Sequence, residues 1–233
     1  MSKKIYINPG HSNVDPGAVG FEIERVLNVK TANFMNEHLL ANYECQTMVT
    51  DGKINSTHVA SAEANKWGAD LFVSIHNNAA GGDGYEALVY SEKRKALGQI
   101  FEKHVLAAGQ NSRGVKLRPE LNVLRLTDMP AVLNEGAFVD NKKDIEDWND
   151  DYELKKLGIA YAEAAAEYLK LEQKVAKPAP TPAPTPAPVK PMYRVFGADG
   201  KQTGAFQVES YAFNEVKKQL LVGGSARITL SEK

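Results

Sequence analysis

Leu71-Phe72-Val73-Ser74-Ile75-His76-Asn77-Asn78 carries the plainest architectural signal in the chain. Its first five residues form an apolar run too short for a helix and suited to a buried strand. The change to His-Asn-Asn marks where the chain leaves the sheet. Working outward, Ile5–Asn8, Gln46–Thr50, Glu86–Tyr90 and Ala131–Asn134 read as further short strands. Glu24–Ala41, Asn55–Trp67, Glu92–Ala107 and Tyr152–Leu171 carry Leu, Ala and aromatic residues at helical spacing. Leu121–Arg125 is a candidate additional strand near Arg113 and Gly114. Strand and helix taking turns predicts an α/β fold, with an open, mostly parallel twisted sheet and helices on both faces. Ligands of such sheets gather outside the carboxyl ends of the strands. His11, His76 and Glu135 each fall at or just after such an end.

The segment from Lys177 to Pro191 holds seven of the 11 prolines in a Thr-Pro-Ala-Pro repeat, which predicts a polyproline spacer spanning roughly 45 Å. The expected organisation is a catalytic domain over 1–173, a linker over 174–191 and a small module over 192–233. Tyr193–Phe196, a turn at 197–200, Thr203–Val208, an amphipathic Tyr211–Leu221 and Arg227–Leu230 suggest β-β-α-β for the module. So short a segment buries little core alone, so self-association through it is expected. Met192 reads as an ordinary linker methionine, with an internal translation start as the alternative. Residues 178–233 carry 7 Lys+Arg against 4 Asp+Glu, while 1–177 carry 21 against 25, so the two parts have net charges of +3 and −4. An overall charge of −1 argues against a strongly basic nucleic-acid binder. Cys45, the single cysteine, excludes an internal disulfide and a thiolate metal cluster. Met-Ser-Lys-Lys runs straight into a core strand, and no stretch approaches membrane-spanning length. Synthesis in the cytoplasm without a signal peptide, and no membrane insertion, are the expectations.

The polar residues at the strand ends offer two imidazoles and a carboxylate, a set that holds zinc with an open coordination position. His11 follows Pro9-Gly10, where glycine permits a tight turn. Glu24 opens a helix and Glu22, two residues earlier, competes for the same role. Glu135 lies between an apolar run and Gly136-Ala137, where an unpaired carboxylate is costly to bury, and it is the candidate catalytic base. His38, His58 and His104 fall on helices among polar residues and read as packing or surface groups.

At these positions the chain resembles the zinc-dependent N-acetylmuramoyl-L-alanine amidases of bacterial and phage cell-wall lysis. The resemblance runs in order through Pro9-Gly10-His11, Asp15-Pro-Gly-Ala-Val-Gly20 and Glu24-Arg-Val-Leu-Asn28. It continues through Ala69-Asp-Leu-Phe-Val-Ser-Ile-His76-Asn-Asn78, Gly84-Tyr-Glu-Ala-Leu-Val-Tyr90, Arg113-Gly114-Val115 and Glu135, Phe138 and Asn141, covering nearly all of residues 3–172. It implies His11, Glu24 and His76 as ligands of one zinc ion, so choosing Glu24 over Glu22, and Glu135 as the catalytic carboxylate. Asn78 and Arg113 are expected to contact glycan or peptide. Two departures stand out: Glu135-Gly136-Ala137-Phe138 where the family has Glu-X-Gly-Phe, and Pro9-Gly10-His11-Ser12-Asn13 where it commonly has Pro-Gly-His-Gly-Gly.

The implied reaction is hydrolysis of the amide between N-acetylmuramic acid and the L-alanine of the stem peptide in bacterial peptidoglycan. A phage endolysin, reaching the wall after the membrane is permeabilised, is the favoured setting. A sporulation (mother-cell) wall amidase, a non-catalytic wall-binding protein on the same scaffold and a zinc carboxypeptidase are the alternatives. The module after the linker is read as wall-binding, oligomerising or both.

Overall fold

A computed structural model describes residues 2–50, 56–174, 192–196, 199, 201–206, 216 and 227–231. The chain divides after Val175 into two compact units. In the first, the strands are β1 (Lys3–Pro9), β2 (Cys45–Val49), β3 (Leu71–Asn78), β4 (Tyr85–Val89), β5 (Ser112–Leu117) and β6 (Ala131–Phe138). The helices are α1 (Glu24–Asn42), α2 (Thr57–Trp67), α3 (Lys95–Ala108), α4 (Asn122–Arg125), α5 (Lys142–Glu146) and α6 (Asp151–Leu169), with a 3-10 turn at Glu92–Arg94 before α3.

Strands β1, β3 and β6 lie side by side in a six-stranded sheet of order β2-β1-β3-β6-β4-β5. Every pairing is parallel except β4 with β6. The exception has a chain-length cause. Only residues 79–84 join β3 to β4, too few for the crossover that a parallel return requires. So β4 runs back the other way, and β6 later fills the place between β3 and β4.

Alternation along the strands sorts the core into two layers. Ile5, Ile7, Val73, Ile75, Ala87 and Val132 face α1, α3 and α6, which present Leu27, Met35, Phe101, Val105, Leu157 and Tyr161. Tyr6, Phe72, Leu88 and Leu133 face α2 and α4, which present Ala60, Ala64, Val123 and Leu124. Cover on both faces explains why the inner strands read as continuous apolar runs. At the α1–α6 crossing the helices touch through Gly158, where a Cβ would stand 2.7 Å from Cβ of Phe34 and 2.8 Å from the Thr31 carbonyl.

The open, mostly parallel sheet with helices on both sides is as expected. Three details differ. Leu121–Arg125 is not a strand: Leu124 and Arg125 donate back to the Leu121 carbonyl at 3.0 and 2.9 Å, forming the short α4. The extra strand is instead β5, an edge strand whose Ser-Arg-Gly-Val-Lys-Leu offers only two apolar side chains to reveal it. And β3 and β6 run on through His76 and Glu135 to Asn78 and Phe138.

In the second unit, β7 (Met192–Phe196) pairs antiparallel with both β8 (Gln202–Phe206) and β9 (Arg227–Ser231). The expected helix at 211–221 lies outside the described residues, Val216 excepted, and so does the proline-rich segment at 177–191.

α5 was not anticipated, yet it ties the ends of β4 and β6 together. The buried Asp144 carboxylate accepts from Gly84 N at 2.9 Å, Phe138 N at 2.8 Å and Gln110 Nε2 at 2.9 Å. One side chain thus clamps the start of β4 to the end of β6. Asp144→Ala leaves the buried Gly84 and Phe138 amides unpaired, strips Gln110 Nε2 of one of its two acceptors, and is expected to lower unfolding free energy by about 3 kcal/mol or more. Urea denaturation of the full chain measures this.

Candidate metal centre

The β1 ladder ends with Gly10 N donating to the Ile75 carbonyl at 2.8 Å, and His11 then turns with φ at 66°. Left-handed backbone at a non-glycine residue is costly and needs its surroundings to hold it. Arg25 Nη1 supplies part of that hold by donating to the carbonyls of Pro9 at 3.0 Å and Gly10 at 3.3 Å. Asn28 Nδ2 adds a bond to the Gly10 carbonyl at 3.3 Å. The His76 ring lies against Gly10 so closely that a Cβ there would stand 2.1 Å from its Cε1. Glycine is what lets the two histidines approach.

Between them lies Glu24, the first residue of α1 and 4% exposed. His11 Nε2 is 3.0 Å from Oε2 and His76 Nδ1 is 2.8 Å from Oε1. Ala18 N donates to Oε2 at 2.9 Å and Asn77 N to Oε1 at 3.2 Å. The imidazole centroids are 5.1 Å apart with planes at 74°. One ligand atom from each of His11, Glu24 and His76 falls within 4.8 Å of the others, a set that can converge on a single ion. His11 Nδ1 is held by Asp15 at 3.0 Å, which leaves Nε2 facing the centre, the outer-shell support that metal-binding histidines commonly have. The donor chemistry fits zinc with an open position.

The electrostatics match a cation-binding centre. The bond to Glu24 raises His11 to about 9 against the opposing effect of burial, and Asp15 adds to the rise. Burial alone would raise Glu24. The bonds from His11 and His76 outweigh it and hold the carboxyl well below the usual range.

Glu135 comes from the neighbouring strand. In the β3–β6 register His76 pairs with Glu135, and in the β4–β6 register Glu135 pairs with Glu86. The row His76, Glu135, Glu86 therefore crosses three strands. Glu135 Oε2 is fully covered and has no hydrogen-bond partner among the described residues. Burial pushes this carboxyl up to about 7; the charges of His76 and His11 oppose the shift, and Glu24 and Glu86 add to it.

A two-lobed cleft runs past these groups, with His11, His76, Leu121 and Leu133 in both walls. One lobe, about 430 Å³, is bordered by Asn8, Asp15, Ser56, Thr57 and Asn122. The other, about 450 Å³, is bordered by Asn77, Asn78, Glu86, Arg118 and Glu135.

Residues 5–167 match the N-acetylmuramoyl-L-alanine amidase family. The chain belongs to this family. It is 34% identical over 193 residues to the endolysin of Bacillus phage SPP1, spanning 77% of this chain and 71% of that protein. It is 30% identical over 178 residues to the sporulation-specific N-acetylmuramoyl-L-alanine amidase of Bacillus subtilis (strain 168), spanning 73% of this chain and 69% of the relative. Among solved structures, the catalytic domain of CwlV, an N-acetylmuramoyl-L-alanine amidase from Bacillus (Paenibacillus) polymyxa var. colistinus, superposes with a TM-score of 0.69. That match has 27% identity and covers 73% of this chain and 99% of the other. The protein is thus an amidase acting on peptidoglycan at the N-acetylmuramoyl–L-alanine bond.

The amidase fold brings His11, Glu24, His76 and Glu135 together. Glu22 points elsewhere, its carboxylate 3.5 Å from Asn149 Nδ2. His38 and His104 pair with Glu163 and Glu167 on α6, and His58 is exposed. Asn78 Nδ2 and Arg113 Nε both end on Glu86, at 3.4 and 2.5 Å, and only Asn78 borders the cleft. Sequence reasoning did not single out Asp15 or Glu86. A carboxylate in the middle of a buried strand was the available signal for Glu86.

In metal-free protein Glu135 titrates near 7 when folded and near 4.5 when unfolded. The folded state therefore binds more protons between those values, and this contribution to stability is lost as pH rises through the window. Glu135→Gln removes it. In chelator, the variant's stability relative to the parent should improve from pH 5 to pH 8 by about 2 kcal/mol, as measured by urea unfolding.

Proposed function

We propose that this amidase is zinc-dependent and works as a phage endolysin, with His11, Glu24 and His76 holding one zinc ion and Glu135 as the acid–base carboxylate. The observation that carries the reading is the bridged His11–Glu24–His76 cluster with the unpartnered Glu135 oxygen beside it. Zinc bound there supplies a Lewis acid for the scissile carbonyl and lowers the pKa of water. Asp15 keeps the His11 ring oriented through Nδ1. Glu135 takes a proton from the attacking water as its oxygen adds to the lactyl carbonyl carbon. The same carboxyl then delivers that proton to the L-alanine nitrogen as the carbon–nitrogen bond breaks, leaving a free acid and a free amine. A carboxyl that titrates near neutrality suits both halves of that exchange. Asn78, which borders the cleft, is assigned to the substrate side; Arg113, expected from the sequence to share that role, is instead held on Glu86 outside the cleft lining.

The endolysin setting draws on the likeness to the phage SPP1 protein named as one. Among the described residues no helix is long and apolar enough to cross a membrane. The sporulation reading draws on the likeness to the Bacillus subtilis enzyme. Residues 1–173 are assigned to catalysis, 174–191 to a linker and 192–233 to a module that binds the wall, self-associates or does both.

Glu135→Ala is expected to retain metal and lose wall lysis by roughly 10²-fold or more, while His76→Ala loses both. Metal content by elemental analysis and turbidity of purified walls, with chelator and zinc add-back, decide it. Lysis retained by Glu135→Ala would sink the catalytic assignment. Deleting residues 176–233 should weaken co-sedimentation with walls while leaving metal content unchanged. Equal pelleting would remove the wall-binding role.

A further inference from the structure

Glu86 has no part in the chemistry above, yet it lies directly opposite Glu135 in the β4–β6 register and borders the same lobe of the cleft. Its side chain is 7% exposed and is saturated with donors. Arg113 Nε lies 2.5 Å from Oε1, Lys116 Nζ bonds the same oxygen, and Asn78 Nδ2 lies 3.4 Å from Oε2. Arg113 and Lys116 come from β5, on the far side of β4 from Glu135. The Arg113 guanidinium also lies 5.2 Å from the ring centroid of Phe138, a residue of β6. Its charge therefore already reaches across β4 to the strand that carries Glu135.

Two cations so placed are a hazard to a carboxylate base. A guanidinium that closes on a carboxylate occupies its lone pairs and lowers its pKa by roughly 1–3 units, making it a poorer proton acceptor. Yet among the described residues Glu135 Oε2 has no partner. The structural difference between the two glutamates of this row is that Glu86 takes both cations and Glu135 takes neither.

We propose that Glu86 is a positioning residue that holds Arg113 and Lys116 on the β5 side of β4, so that Glu135 keeps a free oxygen for proton transfer. The proposal rests on the acid–base role given to Glu135 and extends it. Glu86 touches no reacting atom; it acts by occupying its neighbours.

Steady-state kinetics on a soluble muramoyl-peptide fragment tests this, with metal content and thermal unfolding measured on each variant. Glu86→Gln is expected to lose roughly 10²-fold in kcat, with KM changed by less than about 3-fold and bound metal retained. Adding Arg113→Gln and Lys116→Gln to it should restore kcat by about 10-fold or more, because no cation is left to close on Glu135. Glu86→Asp, which keeps the anion, should retain at least about ten times the kcat of Glu86→Gln. A Glu86→Gln enzyme with unchanged kcat, or a triple variant as slow as Glu86→Gln, would overturn the proposal. Should Glu86→Gln fail to fold, Glu86→Asp decides alone: a loss of 10²-fold from a folded, metal-loaded Asp variant refutes charge-holding. An active Glu135→Gln would instead overturn the acid–base assignment itself, which keeps the two failures apart.

Discussion

A buried carboxylate shared by two imidazoles is the interaction on which the first unit depends. Glu24 is cut off from water, and a charge in that position is tolerated only when its oxygens are fully paired. The pairing comes from three directions: His11 after β1, His76 and the Asn77 amide on β3, and Ala18 in the loop before α1. Satisfying Glu24 therefore fixes where β1, β3 and the start of α1 meet. That meeting point is also where the sheet changes its winding direction, since β1 has β2 on one side and β3 on the other. Open α/β sheets form their crevices at such places. The following turn of α1 reinforces it, with Arg25 and Asn28 reaching back to the carbonyls that end β1.

The rest of the site follows from strand register. Because side chains alternate, the residues that follow Ser74 and Leu133 by two positions lie on the α2 side of the sheet. Those residues are His76 and Glu135, and the pairing of β3 with β6 sets them abreast. A slip of one residue in β6 would turn Glu135 to the opposite face and bring Asn134 or Gly136 to the cleft. Asn134 guards against that slip. It accepts from Tyr85 Oη at 2.7 Å and donates to the Ser74 carbonyl at 3.2 Å. Glu135 is thus located by a polar bond on the other face of its own strand.

Much of this was legible in the chain. The apolar runs at Leu71–Ile75 and Ala131–Asn134 located the central strands, and the polar residues immediately after them located the cleft. The choice between Glu22 and Glu24 was not legible from spacing, because both stand at a helix start; only the fold turns one inward. β5 was hidden because an edge strand buries little, so Ser112–Leu117 lacks the apolar alternation that marks inner strands. Leu121–Arg125 misled for the converse reason: three apolar residues within five suit a strand or a single helical turn equally well. Glu86 escaped notice because a carboxylate inside a buried strand only makes sense once Arg113 and Lys116, far along the chain, are seen beside it.

The position of β5 has a consequence for the molecule in crowded solution. It closes one side of the sheet, and an exposed strand edge is a template for pairing with another chain. Here the edge carries Arg113 and Lys116, bears Gly114 at φ 90°, and breaks register with β4 between Tyr85 and Ala87. Charge and irregularity on an outer strand oppose edge-to-edge stacking. At high concentration β5 therefore keeps this edge of the sheet from growing by one chain pairing onto the next.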